Sequence, residues 1–253
     1  MRDLRTLDEL NVAGRRVLVR ADFNVPMLNG KVTSDTRVRQ AVPTLAELSS
    51  KGAKVIVASH MGRPKGKVVP RLSLEPVAQI LRDYMPQNDI KFVGDTIGAL
   101  AQTASQGLSP GQILMLENLR YLPGEENNDQ DVIKALAQLA DFYVDDAFSC
   151  AHRAHASIEG IARYLPSAAG RLMAREIDSL SRALENPARP LTAVIGGSKI
   201  STKLGILENL VTNVQNLVIG GAMANTFLLA DGLGIGTSLC EPNMVSMVKR
   251  IRG

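Results

Sequence analysis

The feature of this chain that most restricts its fold is a repeated alternation of short apolar runs with longer stretches of helical spacing. The apolar runs are bounded by Gly, Asn, Asp or Pro, as strands are, and read RRVLVRAD, AKVIVASH, IKFVG, ILMLEN and FYVDDAF. Between them, residues 73–85 and 129–140 have apolar positions spaced close to the period of a helix. The nearly continuous apolar strands predict burial on both faces, so we expect an α/β fold with a doubly wound parallel sheet.

One of the helical stretches contains a proline. Residues 36–51 have helical spacing with Pro43 inside. Because proline has no backbone N–H and its ring clashes with the preceding turn, we expect a kink or a break there.

The pattern divides the chain into two α/β regions joined by a helix. Residues 1–170 carry the five strand patterns and are expected to form a Rossmann-like N-terminal domain. A long helix is predicted over residues 167–186, and residues 171–190 are interpreted as a connecting helix and linker. Residues 191–253 contain only two clear strand patterns, LTAVIGG and NLVIGG. We therefore expect a partial second α/β domain, a chain that is a fragment, and exposed apolar surface near its C-terminal end.

Composition narrows the class of protein. Hydrophobic residues make up 45% and charged residues 21% of the 253 residues, which is typical of globular domains rather than disordered chains. The N-terminus is charged and no apolar run is long enough to cross a bilayer, so we predict a cytoplasmic protein without membrane contact. Cys150 and Cys240 lack the spacing of a metal or redox pair and are expected to be reduced thiols.

The charge balance raises the question of a nucleic-acid partner. The formal net charge is +4 and the sequence pI is about 9.2. The basic residues, however, do not form a run, and only 4% of the residues are aromatic. Scattered cations suit a small polyanion better than a duplex, so we expect no nucleic acid. The alternative, binding of DNA or RNA through a basic face, predicts a steep dependence on salt.

Polar and basic residues follow the predicted strands or open the first helix. Ligands of an open α/β sheet bind beyond the carboxyl ends of its strands, where these residues converge. A single loop arginine is usually a solvated surface charge, but several from separate segments can hold carboxylate or phosphate oxygens in two-point contacts. The acidic member is expected to accept from a substrate hydroxyl or to hold an arginine. The predicted anion pocket comprises Asp22, Phe23, Asn24, Arg37, His60, Met61, Gly62, Arg63, Arg120 and Arg153.

Three histidines invite a metal interpretation. His60, His152 and His155 come from two distant segments and lack a cysteine or paired carboxylate at ligand spacing, so no metal site is expected in this chain. A Ser-His-Asp nucleophile is also disfavoured, because there is no GxSxG elbow.

The second region contains two glycine pairs, each directly after a predicted strand. The segment VIGGSKISTKL contains Gly196 and Gly197 and matches neither a P-loop nor the dinucleotide GxGxxG pattern. Free N–H groups at the start of its predicted helix would attract an anion, and Lys199 and Lys203 are predicted one turn apart on one face. The second pair, Gly220-Gly221, indicates either close approach of a flat ligand to the backbone or a plain packing turn.

Taken in order, seven segments resemble those of the phosphoglycerate kinase family, bacterial type, and the resemblance covers the whole chain. They read RADFNVP, TRVRQAVPTL, SHMGRP, LENLRYLPGEE, DAFSCAHRAHAS, GGSKISTKLGILENL and VIGGAMANTFL. The resemblance implies the N-terminal domain and the start of the C-terminal domain of a monomeric, cytoplasmic, glycolytic hinge enzyme. The implied reaction is reversible transfer of a phosphoryl group from 1,3-bisphosphoglycerate to ADP, giving 3-phosphoglycerate and ATP, with Mg²⁺ accompanying the nucleotide.

The resemblance also assigns roles to residues. It implies that the pocket residues bind 3-phosphoglycerate and that residues 191–253 belong to the nucleotide-binding domain. The acceptor in one direction is a carboxylate already ionised at pH 7, so positioning and charge neutralisation suffice without a general base. Domain closure is then expected to join the two sites. The implied catalytic cations are Arg37, Lys199 and Lys203, and the implied nucleotide site comprises Gly196, Gly197, Lys199, Lys203, Gly220 and Gly221.

Two departures from the family pattern stand out. Ser149-Cys150 occurs where the family usually has Gly-Thr before Ala-His-Arg. The later nucleotide motifs of the family are absent, so the chain is expected to be inactive alone. A non-catalytic anion-binding protein on the same fold is the alternative.

Overall fold

The computed structural model describes residues 4–185 and 187–252 of the chain. These residues divide into two compact units, residues 1–180 and 181–253, and the division falls within a single helix. Each unit has its own sheet. None of the described helices combines the length and apolar character needed to cross a membrane.

The first unit is built on a six-stranded sheet in which every neighbouring pair is parallel. The spatial order is β5-β6-β4-β1-β7-β8, and the five predicted apolar runs correspond to β1, β4, β5, β6 and β7. A separate antiparallel pair, β2 and β3, follows the first strand. The bounds are β1 Arg16–Arg20, β2 Met27–Leu28, β3 Lys31–Val32, β4 Lys54–Ala58, β5 Ile90–Phe92, β6 Ile113–Met115, β7 Phe142–Asp145 and β8 Ser167–Ala169.

Helices cover both faces of this sheet, as a doubly wound fold requires. Val17, Val19 and Val55 face one apolar core, together with residues of α1 and α2. Leu18 and Ile56 alternate to the other face, where residues of α3 and α4 pack against them. The sheet is therefore buried on both sides, as the continuous apolar strands predict. The helices are α1 Thr36–Ser50, α2 Glu75–Tyr84, α3 Ala99–Gln106, α4 Gln130–Gln138 and α5 Arg171–Leu184.

Two local predictions differ from the structure. Of the kink or break expected at Pro43, the break does not occur, because α1 is helical without interruption from Thr36 to Ser50. The helix predicted over residues 167–186 begins later, since Ser167–Ala169 pairs with β7 as an edge strand before α5 begins at Arg171. Ala is the strongest helix former and is depleted in strands, so local propensity favoured the helix and the pairing with β7 overrode it. Asn186, the predicted end of that helix, lies outside the described residues.

The second unit has a parallel pair of strands, β9 Thr192–Gly196 and β10 Asn216–Gly220. The three helices are α6 Leu204–Asn213, α7 Met223–Ala230 and α8 Val245–Arg252. A small apolar core unites Ile195, Leu207, Met223 and Val248. Both predicted strands are present, while α8, like α3 of the first unit, was not among the predicted helices.

Candidate functional site

The candidate site of the first unit lies beyond the carboxyl ends of its central strands. From β1 the chain moves first to β4 on one side, and it later crosses to β7 on the other side. Such a reversal of strand order opens a crevice between adjacent strand ends. The segments that follow β1, β4 and β7 begin at Ala21, Ser59 and Asp146, and they contain most of the predicted pocket residues.

Asp22 is held between two elements. Arg37 Nη1, at the start of α1, donates to Asp22 Oδ2 at 2.5 Å, and Ser149 Oγ donates to the same oxygen at 2.5 Å. The other oxygen, Oδ1, accepts from the backbone N–H of Asn24 at 3.1 Å. The expectation that Asp22 holds an arginine therefore agrees with its ion pair to Arg37. A cavity of about 160 Å³ adjoins this pair.

His60 lies at the centre of a group of cations. Its side chain is 3% exposed, and Nδ1 lies 3.1 Å from Arg20 Nη2. Burial, and then the positive charges of Arg20, Arg120 and Arg153, together lower the pKa of His60 to about 2. The imidazole is therefore neutral at physiological pH, and three guanidinium groups lie within electrostatic range of it.

The loop after β4 is tied to the neighbouring segments. Asn118 binds both backbone groups of Met61, accepting from its N–H at 3.1 Å and donating to its carbonyl at 2.8 Å. The N–H of Gly62 donates to Asn24 Oδ1 at 2.9 Å, and Arg120 Nη1 donates to the Gly62 carbonyl at 2.7 Å. Gly62 has φ +58°, and a Cβ there would lie 2.8 Å from Leu72 Cδ2, so this position requires glycine.

The other predicted pocket residues fall into two groups. Phe23 and Met61 are buried in the apolar core, so their side chains serve packing. Arg63 is exposed directly after Gly62. Arg153 is half-buried, and its Nε lies 3.3 Å from His152 Nε2. Arg120 and Arg153 come from separate segments, and both lie within electrostatic range of His60.

Three functional candidates were missed by sequence reasoning. Arg20 is 1% exposed and ends β1, where its charge follows three apolar residues. Ser157 and Glu125 are also buried; Ser157 Oγ accepts from Arg20 Nε at 2.9 Å and in turn donates to Glu125 Oε1 at 2.5 Å. A charged residue at the last position of a buried strand was the available signal for Arg20, since such a residue needs a partner. Ser157 and Glu125 lie within the segments DAFSCAHRAHAS and LENLRYLPGEE, but no local pattern indicates that they bind each other.

One group of residues could be considered for a metal ion. Among the described residues, only Asp22, His60 and Cys150 bring three potential ligand atoms within 4.8 Å of one another. They do not fit a metal ion, because Nδ1 of His60 accepts from Arg20 and Oδ2 of Asp22 already accepts two hydrogen bonds. The surrounding guanidinium groups would also repel a cation.

In the second unit, the loop after β9 is packed against the loop after β10. Met223 N–H donates to the Gly197 carbonyl at 2.9 Å. Gly221 has φ +68°, and a Cβ on it would lie 2.8 Å from the Gly197 carbonyl oxygen. A Cβ on Gly197 would lie 2.9 Å from Lys203 Cε. Gly221 is thus required by local packing, because the atom that a Cβ would meet belongs to the backbone, and this favours the packing-turn interpretation for the second pair. At Gly197 the contact is with the flexible end of the Lys203 side chain, which can move aside.

Two details of this loop correct the sequence expectations. Helix α6 begins at Leu204, so Lys199 lies in the loop before it and shares no helical face with Lys203. Two N–H groups expected to be free for an anion, those of Ile200 and Ser201, donate to Glu241 at 2.5 and 3.1 Å. These bonds and that of the Ser201 hydroxyl hold the pKa of Glu241 below its usual range, the hydroxyl contributing most.

Comparison with known proteins gives a consistent result. A family model described as phosphoglycerate kinase matches residues 7–252. Phosphoglycerate kinases of Ruegeria sp. (strain TM1040) and Bartonella bacilliformis are each 54% identical over 247 residues, covering 98% of this chain and 62% of the relative. The chain thus spans about 62% of the length of the curated relatives it matches.

Two solved structures similar to this chain are also phosphoglycerate kinases. Phosphoglycerate kinase from Coxiella burnetii superposes with a TM-score of 0.87 at 41% identity, covering 99% of this chain and 63% of that protein. The phosphoglycerate kinase from Pyrococcus horikoshii OT3 superposes with a TM-score of 0.83 at 30% identity, covering 98% of this chain and 64% of that protein.

Proposed function

The chain belongs to the phosphoglycerate kinase family, and from that premise we propose that its first unit binds 3-phosphoglycerate. The proposed reaction is the reversible transfer of a phosphoryl group from 1,3-bisphosphoglycerate to ADP. In this proposal the second unit contributes to the nucleotide site through Gly196, Gly197, Lys199, Lys203, Gly220 and Gly221, and the protein acts as a cytoplasmic monomer.

The observation that carries the proposal is the group of cations around His60. Arg20, Arg120 and Arg153 all lie within electrostatic range of one buried, neutral imidazole. Glu126 lies 3.3 Å from Arg120 Nε, and the buried Glu125 interacts electrostatically with Arg20 and Arg120, so these two acidic groups offset part of the charge of the three arginines. An anion that carries both a carboxylate and a phosphate group matches such a surplus of guanidinium groups.

The chemistry proposed for these residues is positioning and charge neutralisation. A carboxylate acceptor is ionised at pH 7, so no side chain has to remove a proton from it. Arg37 is oriented by Asp22 and is the proposed transition-state cation of the first unit, while Arg63, Arg120 and Arg153 are the proposed substrate clamps. Lys203 is the proposed cation of the second unit.

A magnesium ion would accompany the nucleotide and neutralise its phosphates in a transfer of this kind. The described residues supply no cluster of oxygen ligands that fits it, so we assign none of them to Mg²⁺. The roles proposed above concern only the binding and orientation of substrates by the side chains of this chain.

Calorimetric titration with 3-phosphoglycerate tests the proposal. Binding is the appropriate measurement, because the chain spans about 62% of its relatives and the binding residues all lie in the first unit. We expect saturable binding, weakened at least roughly tenfold by Arg120→Ala, because one charge-assisted contact is lost. Arg163→Ala removes an exposed arginine paired with Glu159 and is the matched control. Absence of saturable binding by the wild-type chain, or equal losses in both variants, would overturn the assignment.

A further inference from the structure

A chain of hydrogen bonds runs through the interior of the first unit from Glu125 to His60. Glu125 Oε1 accepts from Ser157 Oγ at 2.5 Å, and Oε2 accepts from the Ser157 N–H at 3.1 Å. Ser157 Oγ in turn accepts from Arg20 Nε at 2.9 Å, and Arg20 Nη2 lies 3.1 Å from His60 Nδ1. All four side chains are at most 3% exposed, so bulk water does not compete for these bonds.

The direction of each bond follows from the chemistry of the groups. A guanidinium group has N–H donors and no acceptor. Arg20 therefore donates to Ser157 Oγ, and the hydroxyl hydrogen is directed to the carboxylate of Glu125. For the same reason Nδ1 of His60 accepts from Arg20, which requires the single ring proton of the neutral imidazole to be on Nε2.

This order of donors has a consequence for ligand binding. An imidazole with its proton on Nε2 offers a neutral N–H donor, whereas the opposite tautomer would offer a lone pair, which repels an anion. The third nitrogen of Arg20, Nη1, also makes a hydrogen bond, donating to the carbonyl of Ala21 at 2.5 Å. The orientation of the whole guanidinium group thus depends on Ser157 as well as on the backbone.

We propose that Glu125 and Ser157 are positioning residues that act through Arg20 to hold His60 as its Nε2–H tautomer, so that His60 presents a hydrogen-bond donor to an anionic substrate. The identity of that substrate rests on the function proposed above. The tautomer itself does not, because it follows from bonds within the first unit alone.

Nuclear magnetic resonance tests the tautomer directly. The chain has three histidines, so two-bond ¹H–¹⁵N correlation spectra contain three imidazole patterns, and His60→Gln assigns the one of interest. We expect the Nε2–H pattern alone for His60 in the wild-type chain. This measurement needs no variant of the hydrogen-bond chain, and an Nδ1–H pattern or a mixture of the two would overturn the proposal.

Variants then test the roles of Glu125 and Ser157. Ser157→Ala and Glu125→Gln should each populate the Nδ1–H tautomer measurably and weaken 3-phosphoglycerate binding roughly tenfold, as expected for loss of a bond to a charged group. Ser105→Ala is the matched control, because Ser105 is 1% exposed and its hydroxyl donates within its own helix to Gln102 at 2.8 Å.

The outcomes separate the two proposals. A folded Ser157→Ala or Glu125→Gln chain with unchanged tautomer and affinity would overturn the positioning role. A wild-type chain that shows the Nε2–H tautomer but does not bind 3-phosphoglycerate would instead contradict the proposed function and leave the tautomer assignment standing. If Ser157→Ala does not fold, the isosteric Glu125→Gln and the wild-type spectrum still decide the matter.

Discussion

The two units of this chain use the same kind of parallel sheet but bury it differently. In the first unit, Leu18 and Val19 of one strand face opposite cores, and both are fully buried. In the second unit, Val194 and Val218 are direct partners on one face of the sheet and are 76% and 49% exposed. Parallel sheets are normally covered on both faces. The difference teaches that a strand pattern alone does not report whether its second face is covered.

This comparison predicts a difference in stability between the units. Burial of apolar surface is the dominant favourable contribution to folding, and only the first unit encloses two extensive cores. We therefore expect the first unit to be the more stable of the two.

Hydrogen exchange should show the largest contrast. Amides of β1, β4 and β7 are expected to exchange on the order of a thousandfold more slowly than those of β9 and β10, because core strands exchange only through global opening. Mass spectrometry of peptides from the two sheets measures this directly. Similar protection in both sheets would mean that the second unit is stabilised by contacts beyond its small core.

Removal of a core side chain should affect the first unit strongly. Leu18→Ala is expected to cost about 2 to 5 kcal/mol of unfolding free energy, since Leu18 is fully buried between β1 and the helices of its face. All four tyrosines, Tyr84, Tyr121, Tyr143 and Tyr164, lie in the first unit, so urea unfolding followed by tyrosine fluorescence reports that unit.

The matched variant of the second unit is Val218→Ala. Its side chain is 49% exposed, so the expected cost is within about 0.5 kcal/mol, measured by circular dichroism. A cost as large as that of Leu18→Ala would show that the face of Val218 is covered in solution, and the contrast between the units would then be lost.

A cluster of ion pairs in the first unit should make a smaller contribution to its stability, and this contribution depends on pH. Arg171, at the start of α5, donates to Asp8 and to Glu47 of α1 at 2.6 to 2.8 Å. These hydrogen bonds lower the pKa values of both carboxyl groups to about 2. Because the folded values lie below the unfolded values near 4, the stabilisation is present above about pH 4 and is lost as the pH falls towards 2.

Arg171→Met should therefore raise the midpoint of acid unfolding of the first unit by roughly half a pH unit, since the groups are partly exposed and water screens them. Arg175→Met, an exposed position on the same helix, is the control and should leave the midpoint in place. Equal shifts in both variants would contradict a specific role for the cluster. Tyrosine fluorescence again restricts the measurement to the first unit.

Much of the fold was accessible from local patterns. Five apolar runs became strands of one parallel sheet, and the helices of residues 75–84 and 130–138 lie within their predicted ranges. The errors were local as well. Pro43 is accommodated inside an unbroken α1, and Ser167–Ala169 became an edge strand because β7 offered it a partner, which no property of three small residues could indicate.

Part of the candidate site was also predictable from the positions of the strands. Asp22, Asn24, His60 and Arg120 could be identified because a parallel sheet gathers the residues that follow its strands at one edge. The second glycine loop was less accessible. Glu241, 40 residues after Ser201, supplies the carboxylate that its N–H groups bind, and no pattern near either residue reports the other.

The positions of the first unit's main strands along the chain, their burial on both faces and the doubly wound parallel arrangement follow from periodicity and from residues next to one another in the chain, whereas the spatial order of the strands was decided by the tertiary structure. The tautomer of His60, the burial of Arg20 and the roles of Ser157 and Glu125 depend on hydrogen bonds between residues up to 137 positions apart. Such bonds form only when folding removes water from both partners, because a buried guanidinium group must then find its acceptors within the protein.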